Sequence, residues 1–249
     1  MSLRSYGLTD VGQRRKHNED AYLADDTLGL WVVADGMGGH AAGEVASQEA
    51  IDTVYGVVTR GKRTLDLAGA FSEDQARAVR RLLEGAVQAA TYMVYAMAEL
   101  DANKAGMGTT ISAMMSVGEF AVTAQVGDSR IYRIRGLHAE QLTEDHTLIA
   151  WQLKQGLITE EEARRSKHRN VITRAVGNRD YVQVDTNLVQ LAAQDRYLLC
   201  SDGLHGYLRT EEIAELAAHG GEEAVQRFID LANDRGGKDN ITAVLVEVT

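Results

Sequence analysis

The 249-residue sequence predicts an α+β fold built on mainly antiparallel sheets, and three observations predict it. Short β-rich apolar runs joined by turns recur along the chain. Two long stretches of helical period sit side by side between them. Strict alternation of strand and helix, which a doubly wound parallel sheet requires, is absent. Composition agrees, since 45% hydrophobic and 25% charged residues suit one large domain, and a chain with no proline has no proline-rich linker at which to divide. A single domain over 1–249 is expected.

Leu28 to Ala34 (LGLWVVA) reads as a buried strand ending at Asp35-Gly36. From about Ala42 to Val58, Ala46, Ala50, Val54, Val57 and Val58 recur at spacings of three or four, while Glu44, Gln48 and Asp52 fall on the other side, as in an amphipathic helix. A polar linker follows around Arg60 to Glu73. Val79, Leu82, Leu83, Ala86, Ala90, Met93, Val94 and Met97 then form a stripe over roughly Glu73 to Leu100, one extended helix packed on a sheet. Past Gly106 the period changes to two: Phe120, Val122, Ala124 and Val126 alternate with Ala121, Thr123 and Gln125. Thr109 to Met115, Arg130 to Arg135 and Val182 to Leu191 read as neighbouring strands. Asp145 to about Arg169 is helix-like, highly charged and flanked by strands, so it reads as an exposed excursion. A buried strand over Tyr197 to Ser201, helices over Thr210 to Ala218 and Glu222 to Asp234, and a β-branched strand over Ile241 to Val248 complete the chain.

Charge and composition exclude several functions. With 26 Lys plus Arg against 36 Asp plus Glu, the net charge of -10 repels phosphate backbones and anionic lipid, so neither nucleic acid nor membrane is expected as a partner. Met1 to Tyr6 lacks a basic segment followed by an apolar one, and no apolar run is long enough to span a bilayer, which predicts a cytoplasmic protein. The single cysteine, Cys200, forms no internal disulfide or thiolate cluster and lies in a predicted strand, where a small hydrophobe is the ordinary reading. Any metal must therefore be held by oxygen or imidazole ligands.

Carboxylates recur at strand ends. LWVVA runs into Asp35-Gly36, FAVTAQVG into Asp128-Ser129 and YLLCS into Asp202-Gly203, while Asn18-Glu19-Asp20 precedes AYLA and Lys238-Asp239-Asn240 precedes ITAVLVEV. Each alone is turn chemistry. Together, on antiparallel strands, they are placed to converge at one rim of a sheet pair, where like charges need a counter-cation. Oxygen ligation with open positions for water suits Mg²⁺ or Mn²⁺. Arg14 or Arg15 adds a planar fork for a phosphate or carboxylate, and metals plus Arg suit a phosphate ester.

At this point the sequence resembles a known family. R-x-x-N-E-D (Arg15 to Asp20), V-A-D-G-M-G-G-H (Val33 to His40), G-T-T (Gly108 to Thr110), V-G-D-S-R (Val126 to Arg130), S-D-G-L (Ser201 to Leu204) and G-G-K-D-N (Gly236 to Asn240) are similar, in this order, to the motif set of the metal-dependent protein phosphatases of type 2C, in compact bacterial form. The resemblance spans essentially the whole chain and implies a four-layer αββα sandwich with two or three Mn²⁺ or Mg²⁺ ions at one end of the paired sheets. By motif position it implies that Asp35 bridges two metals, that the carbonyl of Gly36 binds one and Asp202 and Asp239 the other, and that Glu19 and Asp20 hold metal-bound waters. Asp128 is implied as a ligand of a third, weaker metal shared with Asp202, Arg15 as the grip on the substrate phosphate, and Asn240 as a partner of a bound water.

The implied reaction is hydrolysis of phosphoserine or phosphothreonine by in-line attack of a metal-bridging hydroxide, with no phosphoenzyme. His146, in Asp145-His146-Thr147, matches the position discussed for the proton donor to the leaving oxygen; His40 in the glycine turn is the poorer candidate, and water is an alternative source. Residues 146–170 correspond to the flap near the channel mouth. A monomer acting on phosphorylated proteins, and reversing a cognate Ser/Thr kinase, is the expected biology. The rivals are a catalytically silent member that binds phosphoproteins, and a phosphatase dedicated to one small regulatory protein. A thiol phosphatase is disfavoured because Gly206 stands six residues after Cys200, where a phosphate loop needs Arg, and the glycines at Gly36, Gly38, Gly39 and Gly43 do not space as a dinucleotide fingerprint. The stretch Thr59 to Ala78 is longer and more basic than a minimal member needs, with Arg60, Lys62, Arg63 and Arg77, and reads as a longer helix connection or a docking surface.

Overall fold

Leu30–Met37 is buried along most of its length, and the two sides of its pleat face different cores. Leu30, Val32 and Ala34 point to one hydrophobic cluster, Trp31 and Val33 to another. A strand apolar on both sides must lie in an inner layer, and four layers follow from it.

The computed structural model describes residues 1–38, 42–65, 67, 72–168 and 171–249, without the side chain of Arg164. His40, Arg169 and part of the basic stretch noted in the sequence lie outside those residues. The strands are β1 (Leu3–Asp10), β2 (Asp20–Asp25), β3 (Leu30–Met37), β4 (Gly108–Thr109), β5 (Ile111–Val117), β6 (Phe120–Val126), β7 (Arg130–Arg135), β8 (His138–Gln141), β9 (Asp185–Gln190), β10 (Arg196–Cys200) and β11 (Ile241–Val248). The helices are α1 (Ala42–Lys62), α2 (Glu73–Leu100), α3 (Leu148–Lys154), α4 (Glu160–Arg165), α5 (Asp202–His205), α6 (Thr210–Ala217) and α7 (Gly221–Asp234).

One sheet runs β1-β11-β10-β7-β8 and the other β2-β3-β5-β6-β9, with β4 beside β3; every pairing is antiparallel. Helices α1 and α2 cover the second sheet, closing a core with Val32, Ile111, Ala113, Val122 and Ala124. Helices α6 and α7 cover the first, around Leu198, Phe228, Ala243 and Leu245. Between the sheets lie Trp31, Met114, Ile131, Tyr197, Val244 and Val246. The sandwich is thus αββα, as the family resemblance implied.

Local chemistry sets the element ends. Helix α2 starts where Ser72 accepts the N–H of Gln75 and the Gln75 side chain accepts that of Ser72, a capping box, and it covers the expected Glu73–Leu100. The helix-like excursion expected after Asp145 consists of two short helices. Gly156, at φ +67°, follows the end of α3, and Thr159 opens α4 by accepting the N–H of Glu162. Helix α1 runs past Val58 to Lys62, so the connection to α2 is shorter than expected. Strand β1, which carries no apolar run in sequence, is half-buried apart from exposed Arg4 and pairs along β11 from Leu3↔Val248 to Asp10↔Ile241.

Register brings the motifs to one rim. Asp20 stands opposite Asp35 in β2–β3. Cys200 faces both Ala243 and Arg130, so Asp202, Asp239 and Asp128, each two residues beyond a strand end, leave the first sheet on the same side.

Because Trp31 fills the layer between the sheets, Trp31→Ala should cost roughly 3–5 kcal/mol of unfolding free energy. Urea denaturation checks it; a loss below about 1 kcal/mol would mean that the two sheets are not packed through this residue.

Candidate metal centre at the rim of the two sheets

Asp35 is placed by its backbone. Its N–H donates to Thr110 Oγ1 at 2.9 Å, and its carbonyl accepts from Thr110 N–H and Thr109 Oγ1, each at 2.9 Å. Thr110 Oγ1 in turn meets Ser129 Oγ at 2.7 Å, tying the β3 end to the turn that carries Asp128. Gly36 has to be glycine, because a Cβ there would overlap the carbonyls of Gly43 and Glu19. Its N–H donates to Glu19 O at 3.1 Å, and Ser47 Oγ donates to the same carbonyl at 2.6 Å, which locks β2, β3 and α1 together.

Asp20 is the most informative carboxylate. Its Oδ2 accepts hydroxyl protons from Ser201 and Thr242, both at 2.7 Å, while its buried Oδ1 has no partner. A buried carboxylate oxygen left without a donor suits a cation or a cation-bound water. Burial, with the charges of Asp202 and Asp239 adding to it, pushes the Asp20 carboxyl up to about 7, against the two hydroxyl donors. Burial and Asp202 push Asp128 up to about 7 as well. Asp35 is raised well above the usual range, by burial first and then by Asp20, Asp202, Asp128 and Asp239. Asp202 is raised by burial and Asp239, and lies within hydrogen-bonding reach of Asp35. Mutual repulsion at this density marks a site built for positive charge.

Among the described residues no three carboxylates or imidazoles close on a single point as they stand. That suits hard divalent ions, which take one or two carboxylates each and keep several waters, better than it suits a closed structural cage.

The supports of the rim carboxylates come from across the fold. Asp128 is held by neutral groups: Gln125 Nε2 donates to the carbonyls of Gly127 and Ser129 at 3.0 and 2.7 Å, and His205 Nε2 bonds Asp128 O at 2.9 Å. Burial pushes His205 down to about 3, so it is uncharged there. Gly203 sits so close to Asn240 that a Cβ would overlap the Asn240 carbonyl, which joins the Asp202 and Asp239 turns. Asn240 spends its amide on backbone: Oδ1 accepts from Glu19 N–H at 2.8 Å, and Nδ2 donates to Val11 O and His17 O at 3.0 and 2.9 Å. It thereby fixes the 11–19 loop. From that loop Arg15 reaches Asp239 Oδ2 at 2.7 Å and Glu19 at 3.8 Å, and its side chain is 47% exposed, with room to turn to a ligand.

His146 is brought to the Asp128 turn and not into the carboxylate group. Its ring is buried. Nδ1 accepts the N–H of Gly127 at 3.1 Å, which leaves the proton on Nε2, facing Asp185 Oδ2 at 3.1 Å. Arg174 donates to Asp185 Oδ1 at 2.8 Å from the same side. Burial holds His146 below its usual range, and Asp185 only partly offsets this. Neighbouring Asp145 takes Arg130 through two bonds of 2.9 and 2.6 Å.

Sequence reading placed Thr110, Ser129 and Ser201 inside motifs without giving them a role, and it missed Thr242, Asp185 and Arg174. A signal existed for Thr242, a polar residue on the buried side of an otherwise apolar strand; Asp185 and Arg174 carry none, because only the tertiary fold sets them beside His146. Cys200 is buried, and burial pushes its thiol up to about 12, so it does not serve as a nucleophile.

The sequence model of the family described as Protein phosphatase 2C matches residues 12–246. The chain belongs to that family. It is 38% identical over 244 residues to a serine/threonine phosphatase, stp, of Listeria monocytogenes serovar 1/2a, covering 96% of this chain and 93% of that protein. The crystal structure of the Mycobacterium tuberculosis serine/threonine phosphatase PstP/Ppp superposes with a TM-score of 0.88 at 35% identity, covering 100% of this chain and 99% of the other. A structure of the PstP catalytic domain in complex with two manganese ions superposes at 0.84, with 35% identity and 99% of each chain covered. This protein phosphatase 2C is accordingly a metal-dependent protein serine/threonine phosphatase that uses Mn²⁺ or Mg²⁺.

The raised carboxyls predict how metal and proton compete. Each binds its proton more tightly folded than unfolded, so the metal-free protein loses stability as pH rises from about 4 through about 7. His146 and His205, buried neutral, act in the opposite sense with and without metal and cancel in the difference. The rise in Tm on adding Mn²⁺ to EDTA-treated protein should therefore be larger near pH 7.5 than near pH 5. An increment independent of pH would show that these carboxylates are not where metal binds.

Proposed function

We propose that the rim hydrolyses phosphoserine and phosphothreonine in protein substrates, with Asp20, Asp35, Asp128, Asp202, Asp239 and the carbonyl of Gly36 holding the metal ions. The unpartnered Oδ1 of buried Asp20, inside a group of carboxylates that raise one another's proton affinity, carries this reading. The bound ions supply a nucleophilic water at neutral pH and offset the charge on the phosphoryl group. Asp35 and Asp202, within reach of each other, hold neighbouring positions on a backbone pinned by Thr109, Thr110 and Asn240. Glu19 and Asp20 orient water. Arg15 leaves Asp239 to grip the phosphate through its planar fork.

His146 holds the turn at 127–129, and with it Asp128, through the Gly127 N–H. A ring whose Nδ1 accepts and whose Nε2 faces a carboxylate is fixed in one tautomer. The leaving oxygen takes its proton from water. The substrates are phosphoproteins of the cytoplasm, the opposing enzyme is a Ser/Thr kinase, and the working unit is a monomer. No described helix is long and apolar enough to cross a membrane.

Two experiments test the site. EDTA-treated protein should hydrolyse p-nitrophenyl phosphate and a phosphothreonine peptide only after Mn²⁺ or Mg²⁺ is restored, and Asp202→Ala should abolish turnover of both. Metal binding without turnover of either substrate would favour a phosphoprotein-binding role instead. Arg15→Ala should raise KM about tenfold or more with a smaller change in kcat, and an unchanged KM refutes its assignment. For His146, the Gln variant should weaken metal affinity while the pH profile of kcat keeps its shape; loss of the alkaline limb would show a proton donor instead.

A further inference from the structure

At the end of α1 away from the rim lies a cavity of about 420 Å³, lined by Asp25 at the end of β2, by Thr27 and Leu28 from the turn after it, by Tyr55, Thr59 and Lys62 from α1, and by Arg63 just past its end. Its donors outnumber its acceptors. Lys62 Nζ gives one proton to Leu28 O at 2.5 Å and keeps two. Thr59 Oγ1 is buried with no partner, and among the described residues the guanidinium of Arg63 and the hydroxyl of Tyr55 have none either. Asp25 contributes a carboxylate, but its Oδ1 already accepts Leu28 N–H at 2.8 Å. Two cations against one carboxylate, with two idle hydroxyls, form an anion site in a chain whose net charge is -10. A carboxylate ligand has two oxygens to offer these donors, whereas a phosphoryl group has three, and Arg63 has the fork that pairs with two of them.

We propose that this cavity is a second phosphoryl-binding site, taking either the phosphate monoester of a phosphorylated residue or free phosphate. Helix α1 separates it from the metal rim. Gly43 packs on Gly36 and Glu19 at one end and Lys62 lines the cavity at the other, about 28 Å apart at 1.5 Å per residue. A ligand here touches no metal, and a peptide bridging both sites needs on the order of nine extended residues. The basic stretch beyond Thr59 that the catalytic site does not use thereby acquires a role.

The test is a titration of inorganic phosphate into EDTA-treated protein at low salt, followed by amide NMR shifts, so that its outcome is independent of turnover. Saturable shifts at Thr27, Leu28 and 55–63 are expected. They should weaken about tenfold in Arg63→Ala and measurably in Thr59→Val, which keeps the side-chain volume and removes the idle hydroxyl. Both variants should hydrolyse p-nitrophenyl phosphate normally with Mn²⁺. A peptide phosphorylated twice, roughly ten residues apart, distinguishes the sources. If its KM lies below that of the singly phosphorylated peptide in the wild type but not in Arg63→Ala, the ligand is a phosphorylated residue; if the two peptides are alike while phosphate still binds, it is free phosphate. Absence of shifts in this region, equal phosphate affinity in Arg63→Ala, or loss of aryl phosphate turnover in that variant overturns the proposal.

Discussion

Repulsion among buried carboxylates is the constraint on which the rest of the structure depends. Asp20, Asp35, Asp128 and Asp202 are each raised first by burial and then by a neighbouring rim aspartate, so the metal-free fold holds them against their preference for water. The chain solves this without neutralising them. Their supports are hydroxyls, amides, uncharged imidazoles and backbone: Thr110 and Ser129, Ser201 and Thr242, Gln125, Asn240 and His205. Within the group Arg15 supplies the opposite charge, and it is half exposed. The negative charge is therefore kept for ions brought from solution.

Such a group needs a stiff frame, and the two-sheet core provides it. Successive residues of β3 pack into different cores, Val32 under the helices and Val33 between the sheets, so the strand that delivers Asp35 is gripped from both faces. Strand β11 is gripped likewise, by Leu245 on one face and Val244 and Val246 on the other. Close approaches complete the frame, since Gly36 lies against Gly43 and Gly203 against Asn240 at distances no side chain allows. Placement within fractions of an ångström is what multi-metal phosphoryl chemistry demands of its ligands.

What the sequence made legible divides along physical lines. The inner strands and the covering helices were readable because apolar periodicity records burial directly, down to the limits of α2. The rim aspartates were readable because each ends or begins a strand. Strand β1 escaped because an edge strand half-buried along most of its length shows no clear alternation, and its place is set by pairing with β11. The break between α3 and α4 rests on the conformation of Gly156, which helical periodicity does not record. The sequence suggested a role for His146 and left open which atoms it would meet, because Gly127, Asp185 and Arg174 are contributed by distant segments.

Those contacts join the charged excursion after Asp145, the proposed flap, to the metal rim. The flap is clipped at its base by a short antiparallel ladder, in which Leu148 N–H donates to Val171 O at 2.8 Å and Thr173 N–H to His146 O at 2.8 Å, with Thr147 bridging Ile172. The last backbone step of that ladder is His146, whose own N–H donates to Gly127 O at 2.9 Å and whose ring accepts the Gly127 N–H. Displacing residues 171–173 thus acts first on His146 and then on the peptide before Asp128. Asp35 is joined to the same segment farther on, since Thr109, whose Oγ1 donates to Asp35 O, bridges Val176 through backbone bonds of 3.0 and 2.9 Å, while Asp202 and Asp239 lie on either side of the Gly203–Asn240 contact within the αββα body. Of the proposed ligands, Asp128 is the one whose preceding peptide meets the base of the flap through a single residue, His146.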